Sequence, residues 1–266
     1  RLAYDLESIV SPMLAAALLT LINFHWLFAG TVVGFLVSAA LVLSVTLPVS
    51  PAKPREGGIY DKTTHGMRIY LATPRLRGLL ALNMAVAMGG ALVIVNTVVI
   101  VKGRLGYDDN AVALALACFG GGSMLSALTL PRILERVADR KVMLTAASLL
   151  AVVLGGFSAL LLAEGWAFAP AATPAGWLTL LLTWALLGIG YSATQTPSGR
   201  LLRRSAHAED RPAVFAAQFA LSHACWLITY PLAGWLGASL PLATLAGLFC
   251  LATLAATAAA VWLWPA

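Results

Sequence analysis

Six stretches of this chain, 8–52, 78–101, 110–131, 142–163, 165–199 and 212–266, contain no Asp, Glu, Lys or Arg, and together they make up 203 of its 266 residues. A soluble domain carries about 25% charged residues, whereas this chain carries 11%, with 60% hydrophobic. No aqueous fold needs so much uncharged chain, so soluble globular and disordered classes are excluded. A membrane helix needs about 20 apolar residues, so the runs of 45 and 55 residues hold two spans each and the other four hold one each. This predicts eight transmembrane helices near 8–24, 26–47, 78–101, 110–131, 142–163, 175–199, 212–236 and 241–264. The runs are long and continuous rather than ten-residue alternations, so the class is all-α and not a β-barrel.

Turn chemistry falls between the runs. Asn23 to Trp26 makes a tight turn, Thr173-Pro174 opens the sixth helix, and Gly237 to Pro241 separates the last two. Thr73-Pro74 reads as an N-cap followed by Pro at the first helical position. Alternate loops place 15 of the 17 basic residues on one side, leaving only Lys102 and Arg104 opposite. The positive-inside rule makes the rich side cytoplasmic, and both ends of the chain then face the cytoplasm. The net charge of +6 is therefore a topology signal rather than a nucleic-acid footprint. Six of the eight Trp (26, 166, 177, 235, 262 and 264) fall at span ends as an interfacial belt requires, while Trp184 and Trp226 are mid-span. Cys118, Cys225 and Cys250 are isolated and suited to packing.

Residues 48–77 form a long polar linker with Pro48, Pro51, Pro54 and Gly57-Gly58. Within it Ile59 to Leu71 is expected to lie along the membrane surface as a short helix. The linker divides the chain into 1–47, 48–77 and 78–266, a lopsided two-plus-six split of the spans. Since the chain starts at Arg1 without Met, missing N-terminal helices are the simplest account.

Nothing here calls for catalysis, a cofactor or a metal. The spans contain no His-Glu-x-x-His, no Gly-x-Ser-x-Gly, no phosphate-binding glycine loop and no close carboxylate pair. Glu135 and Asp139 lie among four basic residues in a loop, where solvated salt bridges are expected. Strongly polar side chains in hydrocarbon are costly and therefore informative. They fall in three spans only: Asn83 and Asn96 in the third, Gln195 in the sixth, and Gln218 and His223 in the seventh. Trp184, Gly188, Tyr191 and Gln195 recur at steps of 4, 3 and 4 and so share a helix face. Gln218, Ser222, Cys225 and Thr229 make a polar stripe beside an aromatic one of Phe219, His223, Trp226 and Tyr230. Such faces suit either a small-molecule cavity or hydrogen-bonded glue between helices. Asn83 and Asn96 are 13 residues apart and cannot share a face. His223 can carry a proton, contact a substrate, or donate to a neighbouring helix. Gly30 and Gly34, Gly120 to Ser123, and Gly155-Gly156 are positioned for close helix approach, and Pro12, Pro197 and Pro231 for kinks.

Six helices after a long basic linker, with helices before it, resemble the major facilitator superfamily. Residues 131–141, Pro-Arg-Ile-Leu-Glu-Arg-Val-Ala-Asp-Arg-Lys, look like a degenerate copy of its cytoplasmic Gly-x-x-x-Asp-Arg-x-Gly-Arg-Arg-Lys loop. Arg136, Arg140 and Lys141 match, Glu135 replaces Asp, and Pro131 and Asp139 depart from the pattern. Ser11-Pro12-Met13-Leu14-Ala15-Ala16 falls where antiporters carry Gly-Pro-x-x-Gly-Gly, with only the Pro kept. The resemblance implies a twelve-helix carrier of the bacterial cytoplasmic membrane, of which this chain holds the last eight helices. It also implies gating contacts at Glu135, Arg136, Arg140 and Lys141. The expected activity is alternating-access export of a small organic or amphipathic molecule by proton antiport. Import of a small metabolite, or a non-transporting receptor or scaffold, are the alternatives. Expected substrate-pathway residues are Asn83, Trp184, Tyr191, Gln195, Gln218, Ser222, His223, Trp226 and Tyr230. Asp5 and Glu7 read as helix N-terminal charges, which leaves the main proton carrier to helices outside this chain. The expected partners are the lipid bilayer, the substrate and protons.

Overall fold

The computed structural model describes residues 10, 14, 17, 18, 21, 24–45, 58–163 and 174–265. Most of the expected span 8–24, including Pro12, lies outside them, as do Asp5, Glu7 and Trp166. The described residues form nine α-helices: α1 (Phe24–Ser44), α2 (Ile59–Ala72), α3 (Pro74–Val98), α4 (Asp109–Leu134), α5 (Asp139–Ala163), α6 (Pro174–Gln195), α7 (Ser198–Ser205), α8 (Arg211–Ser239) and α9 (Leu242–Leu263). Seven helical segments are long and apolar enough to cross a membrane, and they follow the uncharged runs. The protein is an all-α, polytopic membrane protein.

Helix α3 is the most buried of these spans and packs against α5, α6, α8 and α9, while α4 lies along α6 and α5 along α9. Its outward neighbours expose Leu125, Leu128, Val152, Leu162, Leu182, Leu227 and Leu251. Lipid is the natural solvent for such a surface, because its side chains are apolar and the helix interiors satisfy their own backbone groups. Helix α1 is exposed along its length.

Glycines set the closest crossings. A Cβ on Gly122 would overlap the Ala185 carbonyl, and one on Gly188 would overlap the Phe119 carbonyl, so α4 and α6 touch backbone to backbone. By contrast Gly30, Gly34, Gly121 and Gly156 have open space where a side chain would go. Among the described residues no helix comes close at these four positions. At the end opposite the linker, α3 widens into a π-helical segment, Val99–Arg104. Gly106 then takes a left-handed φ of 69° to turn the chain. Asp108 caps α4 by accepting the Ala111 N–H at 3.0 Å, a bond that, with the Asn110 amide, holds its carboxyl below the usual range. Lys102 and Asp109 pair at 2.8 Å beside it.

Thr73 is the N-cap of α3 with Pro74 in its first turn, as expected, and its carbonyl accepts the Leu76 and Arg77 N–H groups. Its hydroxyl makes no cap bond and instead donates back to the Ile69 carbonyl at 2.8 Å, closing α2. Helix α2 forms over the stretch where a short helix is expected, and it runs alongside the first turns of α8. His65 Nε2 donates to Asp210 at 2.9 Å, Gly66 sits where any Cβ would strike the Ala213 carbonyl, and the buried Tyr70 hydroxyl donates to Gln218 Oε1.

Candidate functional site

Where α3, α4, α6 and α8 come together, a hollow of about 400 Å³ opens between Gly90, Ile94, Phe119, Tyr191, Gln195, Ser222, His223, Trp226 and Tyr230. Its wall is a chain of aromatic contacts. Ring centroids lie 5.4 Å apart for Phe119 and Tyr191, 6.1 Å for Tyr191 and Trp226, and 5.0 Å for Trp226 and Tyr230. Trp226 reaches inward because residue 90 is glycine: a Cβ there would fall within 2.5 Å of the indole.

Polar groups enter this wall at three points. His223 Nδ1 lies 2.7 Å from the Phe219 carbonyl, which can only accept. Nδ1 therefore carries the proton, and Nε2 is the acceptor of the neutral ring. Ser222 donates to the same carbonyl at 3.0 Å, which leaves its oxygen to accept. Gln195 Nε2 donates to Asn83 Oδ1 at 3.1 Å. The Asn83 amide nitrogen behind it is buried with no hydrogen-bond partner among the described residues. The hollow thus offers flat apolar faces with a few fixed hydrogen-bonding positions, and among the described residues no carboxylate lines it.

Six of the nine expected pathway residues, Tyr191, Gln195, Ser222, His223, Trp226 and Tyr230, line this one hollow. The other three do not. Trp184 is fully buried, donates to Thr97 Oγ1 at 2.8 Å and packs on Phe157, so it belongs to the core. Gln218 is taken by Tyr70 of the linker helix. Asn83 reaches the hollow only through Gln195. Asn96 donates to the Ala233 carbonyl at 3.3 Å and joins α3 to α8 as glue. Gly90, Ile94 and Phe119 complete the wall although the sequence reading did not select them. A glycine seven residues after Asn83 was the one available signal.

The family model of the Major Facilitator Superfamily matches residues 79–266. The chain belongs to this superfamily. No curated protein and no solved structure matches it. As a major facilitator superfamily protein it is a secondary transporter, embedded in the bilayer and handling a small-molecule substrate.

The superfamily-like loop at 131–141 is organised around the residue that departs from the pattern. Asp139, at the first turn of α5, is buried rather than solvated as expected. Arg200 grips its carboxylate with two nitrogens, and Arg204, one turn further along α7, reaches it at 3.4 Å. The positive end of the α5 dipole favours an acid at this place. Arg140 Nε donates to the Trp264 carbonyl at 2.7 Å and so caps the C-terminus of α9. Glu135 and Arg136 line a polar hollow beside this network, while Lys141 faces a separate apolar groove.

Proposed function

We propose that the protein exports a small amphipathic organic molecule by alternating access, driven by proton entry. In this reading the hollow between α3, α4, α6 and α8 is its substrate site. The observation that carries the proposal is the wall itself. Linked aromatic rings accept many flat or greasy shapes through unspecific contact, while Gln195, Ser222 and His223 supply orientation. Because no carboxylate among the described residues lines the hollow, this reading assigns the main proton carrier to helices beyond those that line it. His223 then serves substrate contact, presenting Nε2 as an acceptor while Nδ1 is held by the Phe219 carbonyl.

The same proposal divides the chain into 1–47, the last two helices of an N-terminal bundle, 48–77, a cytoplasmic linker, and 78–266, the C-terminal six-helix bundle. The Asp139 network, with Glu135, Arg136, Arg140 and Lys141, acts as the gate at the basic end, and that end faces the cytoplasm of a bacterial cell.

Accumulation of a panel of amphipathic fluorescent compounds, in cells with and without the protein, tests this. Export predicts lower accumulation, restored by an uncoupler and by Trp226→Ala. Unchanged accumulation across the panel with saturable uptake of one metabolite would establish import instead, and absence of any flux would leave a scaffold. A His223→Ala variant is expected to keep proton-driven flux with altered substrate preference. Loss of coupling with substrate binding intact would move the proton site into the hollow.

A further inference from the structure

Two hollows of opposite chemistry meet at the turn between α4 and α5. One, of about 420 Å³, is lined by Arg75, Arg136, Arg140, Arg200 and Arg204 against only two carboxylates, Glu135 and Asp139. The other, of about 680 Å³, is a groove between α4, α5 and α6 whose lining is apolar except for Ser126, Thr129, Thr145 and Lys141. Val137 lines both, and the adjacent residues Arg140 and Lys141 face one each. Asp139 is already committed to Arg200 and Arg204. Arg75, Arg136 and Lys141 are exposed and have no ion-pair partner among the described residues.

Depth gives these hollows a common meaning. The groove is bounded by the last turns of α4 and the first turns of α5, and it opens sideways past exposed Leu125 and Ile133. Arg136 and Arg140 stand at the turn that joins α4 to α5, with Arg75 of α3 and Arg200 and Arg204 of α7 lining the same hollow, where the apolar belt gives way to the basic loops. A ligand filling both must be an acid at one end and a hydrocarbon at the other, oriented along the membrane normal. Basic pockets between membrane helices on the positive side bind anionic headgroups, and here an acyl-sized slot adjoins such a pocket.

We propose that this turn is a binding site for an anionic phospholipid of the adjoining leaflet. The phosphate rests among Arg75, Arg136 and Arg140, and one acyl chain lies in the groove with Lys141 at its mouth. The site is separate from the aromatic hollow, with which it shares no lining residue.

Delipidated protein in a neutral detergent tests this by its melting temperature during titration with phosphatidylglycerol, phosphatidylcholine or inorganic phosphate. Phosphatidylglycerol is expected to raise the melting temperature saturably, with the other two much weaker. The Arg136→Gln/Lys141→Gln variant should move the half-saturating concentration up by about tenfold, since each cation near a leaflet adds to the attraction. Thr145→Trp, which fills the groove from an exposed position, should remove the response to phosphatidylglycerol. Equal stabilisation by phosphatidylcholine would overturn the proposal by showing general lipid solvation. An equal response to inorganic phosphate would reduce the site to an ion pocket, and a charge variant with an unchanged midpoint would overturn it directly.

Discussion

The indole of Trp226 lies over Gly90 so closely that a single methyl group there would overlap it, at 2.5 Å from the ring. Gly90 therefore sets the depth to which the aromatic wall can close. Gly90→Ala is expected to push the ring into the hollow, at a packing cost of about 1–3 kcal/mol. Transport should shift toward smaller substrates with protein amount little changed. Competition assays with a size series of substrates check this, and an unaltered size preference would count against Trp226 as a wall residue.

Gly122→Ala and Gly188→Ala should behave differently, because there the added methyl meets backbone rather than a ring that can turn. The α4–α6 pair must separate, so both variants are expected to lower the melting temperature and the yield of folded protein. Gly121→Ala and Gly156→Ala, facing open space, serve as controls and should leave both unchanged.

Asp139 is buried while Arg200 and Arg204 are partly exposed, so their interaction is screened on one side only. Asp139→Asn is expected to cost about 1–3 kcal/mol, the scale of hydrogen bonds to charged groups. Adding Arg200→Gln should recover part of that loss, and thermal unfolding of the double-mutant cycle measures the coupling.

Burial, reinforced by the nearby Cys225, raises the Tyr70 hydroxyl well above its ordinary pKa. With the folded-state pKa raised, its contribution is whole below the unfolded value of about 10 and is lost as the pH rises toward the folded value. Stability should thus fall above about pH 10 in the parent and less steeply in Tyr70→Phe. That variant also loses the bond to Gln218, worth about 1 kcal/mol at neutral pH. Unfolding followed across alkaline pH tests both parts.

The membrane helices could be read directly from the uncharged runs, since lipid removes the need for any other signal. Periodicity went less far at the site. The face shared by Trp184, Gly188, Tyr191 and Gln195 is real as geometry, yet its neighbours change along its length. Trp184 meets the core, Gly188 a crossing backbone, and only Tyr191 and Gln195 the hollow. Gln218 stood in a correct stripe, but its partner Tyr70 lies 148 residues away in the linker, beyond the reach of any spacing argument. Asp139 reads from the sequence as a solvated loop acid among basic neighbours, whereas its partners are two arginines on a later helix that pair with it where it is buried.

Helix α2 touches α8 through His65 and Asp210, Gly66 and Ala213, and Tyr70 and Gln218, contacts that advance in the same direction along both helices. Helix α8 also carries Ser222, His223, Trp226 and Tyr230 a few turns beyond. The linker helix and one wall of the hollow are therefore fastened like a handle to a lever. If transport moves α8, as the proposed alternating access requires, α2 is bound to move with it, and a guest held against that wall is felt at α2 through the same three contacts.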